Sequence, residues 1–130
     1  MRTARLALAA VLGAFLACGE ALAPPEEVAL EFWSAIVARD AQRAEQLASP
    51  DASALAELLG TGAPDAPPAV GAAAVAEDTA LVETLFLHDG VAAPLRFHTH
   101  LQRGESGWHV ALRETADELA RARGGIRSAE

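Results

Sequence analysis

The sequence contains no tyrosine, no lysine and a single cysteine, Cys18. A single cysteine excludes a disulfide within the chain. The charge is one-sided, because 18 acidic residues outnumber 10 arginines and give a formal net charge of −8. A net acidic domain is repelled by the phosphate backbone of DNA or RNA, so the composition argues against nucleic-acid binding.

Several catalytic and ligand-binding motifs are also missing. The chain has no G-x-S-x-G, no phosphate-binding loop and no H-E-x-x-H. No apolar run reaches the roughly twenty residues that a helix needs to cross a bilayer. The sequence therefore predicts no permanent membrane span and no cofactor.

The first seventeen residues have the layout of a secretory signal peptide. Arg2 and Arg5 form a positive head, and an apolar run of about twelve residues follows at positions 6–17. Removing both arginines takes the formal net charge from −8 to −10. We therefore predict a signal peptide over residues 1–17, followed by a net acidic mature protein.

Two cleavage sites compete after this run. Residues 21–23, Ala-Leu-Ala, carry small residues where signal peptidase reads them, but Pro24 would then become the first residue. Residues 15–18, Phe-Leu-Ala-Cys, resemble a lipobox, whose cysteine is lipidated and becomes the new N-terminus. An odd thiol is a liability in an oxidising compartment, which favours lipidation of Cys18 over a plain hydrophobic role. Gly19 follows the cysteine, so the resemblance implies a periplasmic protein anchored to the outer membrane.

The mature chain has the length of one small domain. Cleavage before Cys18 leaves about 112 residues, enough for one modest core. We predict a tether over residues 18–24, a single domain over residues 25–123 and a loose tail over residues 124–130. The Gly/Pro/Ala-rich stretch at residues 60–69 is interpreted as a loop within this domain.

The sequence pattern predicts helices followed by a sheet and one last helix. Proline and acidic residues at 24–27 open a first helix whose apolar residues recur every three or four positions. The predicted elements are a second helix at 41–48 capped by Asp40, a third beginning at Asp51 or Ser53 and ending at Gly60, and strands at 70–76, 80–88, 95–103 and from Trp108 to Arg113. Asp89-Gly90 predicts a hairpin turn, and a capping box at Thr115 predicts a short last helix that Gly124-Gly125 ends. The fold class is α+β, with N-terminal helices packed on a curved antiparallel sheet.

Two segments, together with the Asp89-Gly90 turn, resemble the nuclear-transport-factor-2-like superfamily, whose cystatin-like cone includes SnoaL-like domains. They are residues 24–50 (PPEEVALEFWSAIVARDAQRAEQLASP) and residues 97–115 (FHTHLQRGESGWHVALRET). The resemblance implies a cone with an open mouth, dimerisation through the sheet, and a branch of bacterial lipoproteins of unknown function. Isomerases and dehydratases of this superfamily depend on tyrosine hydroxyls, so the absence of tyrosine argues against those mechanisms.

Three histidines are candidate metal ligands. A four-residue hairpin loop would pair Arg103 with Trp108, which places His98, His100 and His109 on one face of the sheet. A His-x-His pair with a third histidine is able to bind zinc or copper. The favoured interpretation is a polar outer face, since no cysteine or carboxylate is fixed beside the histidines by spacing.

Four residues are candidates for the cone mouth: Trp33, Asp40, Glu83 and Thr99. A carboxylate in an apolar pocket has a raised pKa and acts as a general base, which makes Glu83 and Asp40 candidate catalytic residues. Trp33 and Thr99 are candidate ligand-binding residues, although a core role is the favoured interpretation of Trp33. Glu83 shares a strand face with leucines, but Val82, Thr84 and Phe86 are equally plausible as the inward face. Asp40 also fits a helix cap.

These observations favour a binding or interaction module over an enzyme. The expected partners are the membrane through the anchor at Cys18, and a small apolar ligand, an identical subunit or an envelope protein at the cavity or the sheet face. A small pocket enzyme that uses acid/base chemistry on a small apolar substrate, and a metal-binding envelope protein, are the alternatives.

Overall fold

A computed structural model describes residues 23–60, 64–87 and 94–128. These residues form four helices and one four-stranded antiparallel sheet, which confirms the α+β class. The helices are α1 (Pro25–Val37), α2 (Ala41–Gln46), α3 (Ala52–Leu59) and α4 (Leu112–Ser128), and the strands are β1 (Ala69–Ala76), β2 (Thr79–Phe86), β3 (Leu95–Gly104) and β4 (Gly107–Val110).

Helix α1 begins where the sequence predicts. Pro25 takes the first helical position, and Glu26 and Glu27 lie in the first turn, where their charge complements the helix dipole. The helix ends in a Schellman motif, because the Asp40 N–H donates to the Ala35 carbonyl and Arg39 has a φ of 60°. This sharp end turns the chain directly into α2.

The strands follow one another in the order β1-β2-β3-β4. The predicted pairing of Arg103 with Trp108 is confirmed. A register shift between Val70 and Ala73 marks a bulge in β1. The predicted turn at residues 89–90 lies outside the described residues.

The inner face of the sheet packs on α1, which contacts all four strands. On β2 the buried side chains are those of Ala80, Val82, Thr84 and Phe86, so the leucines beside Glu83 belong to the other face. On β3 the predicted alternation is confirmed, with Leu95, Phe97, Thr99 and Leu101 buried.

The predicted boundaries near the C-terminus are wrong. Strand β4 ends at Val110, and α4 begins at Leu112 instead of Thr115. The reason is a distant cap, since the Leu112 N–H donates to Oγ of Ser49 at 3.2 Å. The helix continues to Ser128, so the predicted stop at Gly124-Gly125 and the short helix are also wrong.

Helix α2 is shorter than predicted, because it ends at Gln46. Leu47 is the C-cap of the helix, and Ala48 forms a parallel bridge with Val110. The Leu47 carbonyl accepts from the Val110 N–H, and the Ser49 N–H donates to the Val110 carbonyl, so these two groups pair with β4 and do not extend the helix.

Candidate functional site

The space between α1 and the sheet is filled by aromatic side chains. The Trp33 ring is fully buried and packs edge-on against Phe32, Phe86 and Phe97, with ring centroids 5.2, 5.4 and 5.6 Å away. Edge-to-face contacts of this kind add to the free energy gained by burying the rings. The predicted core role of Trp33 is confirmed.

A chain of hydrogen bonds crosses this core. Nε1–H of Trp33 donates to Oγ1 of Thr99 at 2.9 Å, and the Thr99 hydroxyl lies 2.6 Å from that of Thr84. The Thr84 hydroxyl also lies 2.9 Å from the Val82 carbonyl oxygen, which can only accept. Thr99 therefore donates to Thr84, and Thr84 donates to Val82.

These hydrogen bonds use the polar groups of both candidate ligand-binding residues. Trp33 and Thr99 are fully buried and bonded to each other, so neither candidate ligand-binding residue presents a surface. Among the described residues, every buried side-chain nitrogen and oxygen has a hydrogen-bond partner.

The two candidate catalytic carboxylates lie outside this core. Glu83 is exposed and projects from the sheet face opposite α1. Asp40 is exposed as well, and its carboxylate caps α2 by accepting from the Arg43 N–H at 3.1 Å. Asp40 lines an open surface groove of about 420 Å³ together with Arg43, and the helix-cap interpretation of Asp40 is confirmed.

The three histidines share a face but do not converge. His109 pairs with Gln102, so it projects to the same side as His98 and His100. Nε2 of His100 lies 3.5 Å from a carboxylate oxygen of Glu118 instead. Within residues 23–60, 64–87 and 94–128, no group of three or more histidine, cysteine or acidic side chains is arranged to hold a metal ion.

Each long edge of the sheet forms hydrogen bonds with other parts of the chain. At β4, Val110 exchanges hydrogen bonds with Leu47 and Ser49. Beyond the end of β4, the His100 N–H donates to the hydroxyl of Thr115 on α4. At β1, the Ala73 N–H donates to the Glu26 carboxylate at 3.2 Å. These hydrogen bonds occupy backbone groups with which an added strand would pair.

The side of the sheet opposite α1 is covered by no described helix or strand over its centre. We call it the outer sheet face; it consists of Thr79, Leu81, Glu83 and Leu85 on β2 and Arg96, His98, His100 and Gln102 on β3. Leu81 is 38 % exposed. The strand alternation could have identified this face, but both faces of β2 carry apolar side chains, so the pattern left its direction open.

A separate apolar cleft of about 430 Å³ lies between α3 and the start of α4. Its walls include Leu55, Leu59 and Leu112, and Asp51 lies at its rim. A hydrogen bond from the Ala54 N–H and the charge of Arg113 hold the pKa of Asp51 below its ordinary value, against the opposing effect of desolvation. The Asp51 carboxylate therefore caps α3 and forms an ion pair with Arg113 of α4.

The predicted lipidation site, Cys18, lies outside the described residues. Among the residues that are described, no helix is long and apolar enough to span a bilayer.

The chain matches no protein-family model, and comparison with curated proteins and with solved structures gives no significant match. The geometry of the chain itself is therefore the basis for a functional hypothesis.

Proposed function

We propose that this chain is a lipid-anchored periplasmic interaction module that binds a protein partner through its outer sheet face. The observation that carries the proposal is the contrast between the buried, hydrogen-bonded aromatic core around Trp33 and this uncovered face. Its Leu81 and Leu85 supply apolar area, and Glu83 and Arg96 supply charges of opposite sign. Mixed surfaces of this kind suit protein partners better than small apolar ligands.

The hydrogen bonds at the edges of the sheet, at β1 and β4, argue against binding by addition of a partner strand. A partner strand that joined β1 would compete with Glu26 for the Ala73 N–H, and one that joined β4 would displace Leu47 and Ser49. A partner that contacts the side chains of the outer sheet face breaks none of these backbone hydrogen bonds. The proposal is therefore packing against the face rather than strand addition.

The anchor is proposed at Cys18. Residues 19–24 separate it from α1, and six residues span at most about 20 Å. A lipidated Cys18 would thus hold the domain close to the membrane. Mass spectrometry of the mature N-terminus tests this: a diacylated or triacylated Cys18 is expected, and an unmodified chain beginning at Pro24 would overturn the anchor.

For the fold, we infer the cone of the nuclear-transport-factor-2-like superfamily. The support is the contact of α1 with all four strands and the bulge in β1, which bends a strand. An experimental structure that shows a flat sheet would overturn this inference.

Site-specific photo-crosslinking in intact cells tests the interaction. A photoreactive residue replaces Leu81 on the outer sheet face, and the control replaces Val75, which is 51 % exposed but pairs with the buried Ala80 and so belongs to the other face. Light-dependent adducts are expected at position 81 and not at position 75. No adduct at 81, or equal yields at both positions, would contradict the proposal.

A further inference from the structure

The cleft between α3 and the start of α4 lies apart from both the aromatic core and the outer sheet face. None of the described residues that line it belongs to α1 or to a strand. Its apolar walls include Leu55 and Leu112, which are buried, and Leu59, which is half-buried. Its volume of about 430 Å³ falls within the range of ligand pockets, roughly 300–1,000 Å³.

Both ends of α3 are fixed to other parts of the chain, so this wall of the cleft is in place without a ligand. At the start of the helix, Arg113 of α4 donates to the Ser53 hydroxyl at 2.9 Å and forms an ion pair with Asp51. At its end, the Leu59 carbonyl accepts a 2.9 Å hydrogen bond from Arg39. A ligand that enters a site with fixed walls loses little free energy to ordering of the protein.

Two carboxylates line this apolar cleft, and they differ in their partners. Asp51 caps α3 and pairs with Arg113, so its charge is compensated. Glu45 is exposed, and among the described residues its carboxylate has no ion pair and no hydrogen bond. Gln42 and Gln46, which share a shallow surface depression with Glu45, are neutral. The cleft therefore carries one uncompensated negative charge at its rim.

We propose that this cleft binds a small molecule with an apolar body and one ammonium group. The leucine side chains contact the apolar body, and Glu45 pairs with the ammonium group. Charge complementarity selects a cation, because an anion would lie against Glu45 on a chain whose formal net charge is −8.

The size of the cleft favours a small molecule over a protein segment. Eight described residues line the cleft, whereas a specific protein interface engages roughly 20–30 residues on each side. Because the cleft is separate from the outer sheet face, a ligand bound in it does not compete with a protein bound to that face.

Titration of the full chain tests the proposal. The chain is isotope-labelled at its leucine methyl groups, placed in lipid nanodiscs and titrated with phenethylammonium while its NMR spectrum is recorded. The methyl signals of Leu55, Leu59 and Leu112 are expected to shift with a dissociation constant of about 1 mM. The signal of Leu81, on the outer sheet face, is expected to stay in place. Hydrocinnamate has a similar shape but carries a carboxylate, and it is expected to bind at least about threefold more weakly.

The probes allow three outcomes that would overturn the proposal. They are no shift of the three signals from the cleft, equal affinity for phenethylammonium and hydrocinnamate, and shifts that are largest at Leu81. The last outcome would move the ligand to the outer sheet face.

Two substitutions separate the charge from the rest of the cleft. Glu45→Gln keeps the shape and removes the charge, so it is expected to weaken phenethylammonium binding about three- to fivefold, as for an exposed ion pair. Glu57→Gln is the matched control, because Glu57 is exposed on α3 but does not line the cleft. It changes the net charge equally and is expected to leave binding unchanged. Equal effects of the two variants would overturn the pairing with Glu45.

A third substitution tests the location. Ala56 lines the cleft from an exposed position of α3, so Ala56→Trp fills the cleft without disturbing the core. Phenethylammonium is then expected to cause no shift at Leu55 or Leu112, while an unchanged Leu81 signal shows that the fold is kept. Binding that survives Ala56→Trp in the folded protein would overturn the assignment to this cleft.

Discussion

Nε1–H of Trp33 donates a 2.9 Å hydrogen bond to Oγ1 of Thr99 across 66 positions of the sequence, with both residues fully buried. The bond joins α1 to β3 at the centre of the aromatic core. It also explains why a polar residue occupies an inward position of β3, because an indole N–H without a partner at this depth would be destabilising.

Thr99→Val is expected to destabilise the domain by about 1–3 kcal/mol. Valine has nearly the shape of threonine, so the packing is kept while the Trp33 N–H loses its acceptor. Urea unfolding followed by circular dichroism measures the loss. Thr84→Val is the matched control and should lose less, because Trp33 keeps its bond to Thr99. Equal stability of Thr99→Val and the wild type would show that the bond contributes nothing.

Ser49→Ala is expected to loosen the start of α4 and to destabilise the domain by about 1 kcal/mol. Its hydroxyl is the acceptor for the Leu112 N–H. Hydrogen exchange should accelerate in the first turn of α4. Ser53→Ala removes an exposed hydroxyl that contacts the same helix through Arg113, and we expect it to change stability by less than about 0.5 kcal/mol. Similar effects of the two variants would argue against a specific cap.

This cap also shows why part of the fold was not predictable from the sequence. The register of β3 and β4 followed from alternating apolar residues and a short turn, which are local signals. The start of α4 depends on Ser49, 63 positions away, and no local pattern reveals it. Thr115 has the sequence of a helix cap, but its hydroxyl bonds the backbone of His100 instead. Tertiary contacts therefore place the start of α4 at Leu112 and not at Thr115.

The candidate site, too, was only partly predictable from local sequence patterns. The sequence placed the three histidines on one face correctly, because strand alternation is strict. It left open which side of β2 is buried, since Leu81 and Leu85 are as apolar as Val82 and Phe86. The choice depends on where α1 packs, which only the three-dimensional arrangement gives. Glu83, which the sequence made a candidate base in a pocket, therefore lies on the outer sheet face.

Asp51→Asn is expected to remove a pH-dependent part of the stability. The folded-state pKa of Asp51 is lowered, chiefly by the Ala54 N–H, so its charge stabilises the fold above the ordinary carboxyl pKa of about 4. That contribution is lost as the pH falls through the lowered pKa. Thermal unfolding from pH 7 to pH 2 should show the wild type more stable than Asp51→Asn at pH 7, and the two converging in acid. A difference that persists in acid would assign the effect to hydrogen bonding alone.

Glu77→Gly is expected to stabilise the domain by about 0.5–1 kcal/mol. Glu77 is exposed in the turn between β1 and β2 and has a φ of 56°, which glycine adopts without strain. Arg39→Gly is the instructive comparison, because Arg39 has a similar φ of 60° but donates a 2.9 Å hydrogen bond to the Leu59 carbonyl. We expect it to gain less in urea unfolding. A larger gain at Arg39 would contradict the stabilising role of that bond.

Glu26→Ala is expected to open the edge of β1 to other chains. The Glu26 carboxylate is the acceptor for the Ala73 N–H, and β1 contains neither a charged residue nor a proline to prevent pairing with another strand. Loss of the acceptor should destabilise the domain by about 1 kcal/mol and increase aggregation, measured by light scattering on warming. Glu27→Ala removes the same charge from the same helical turn, but Glu27 is exposed and is therefore the matched control. Equal aggregation of both variants would attribute the effect to net charge, whereas aggregation confined to Glu26→Ala would identify this single hydrogen bond as the protection of the edge.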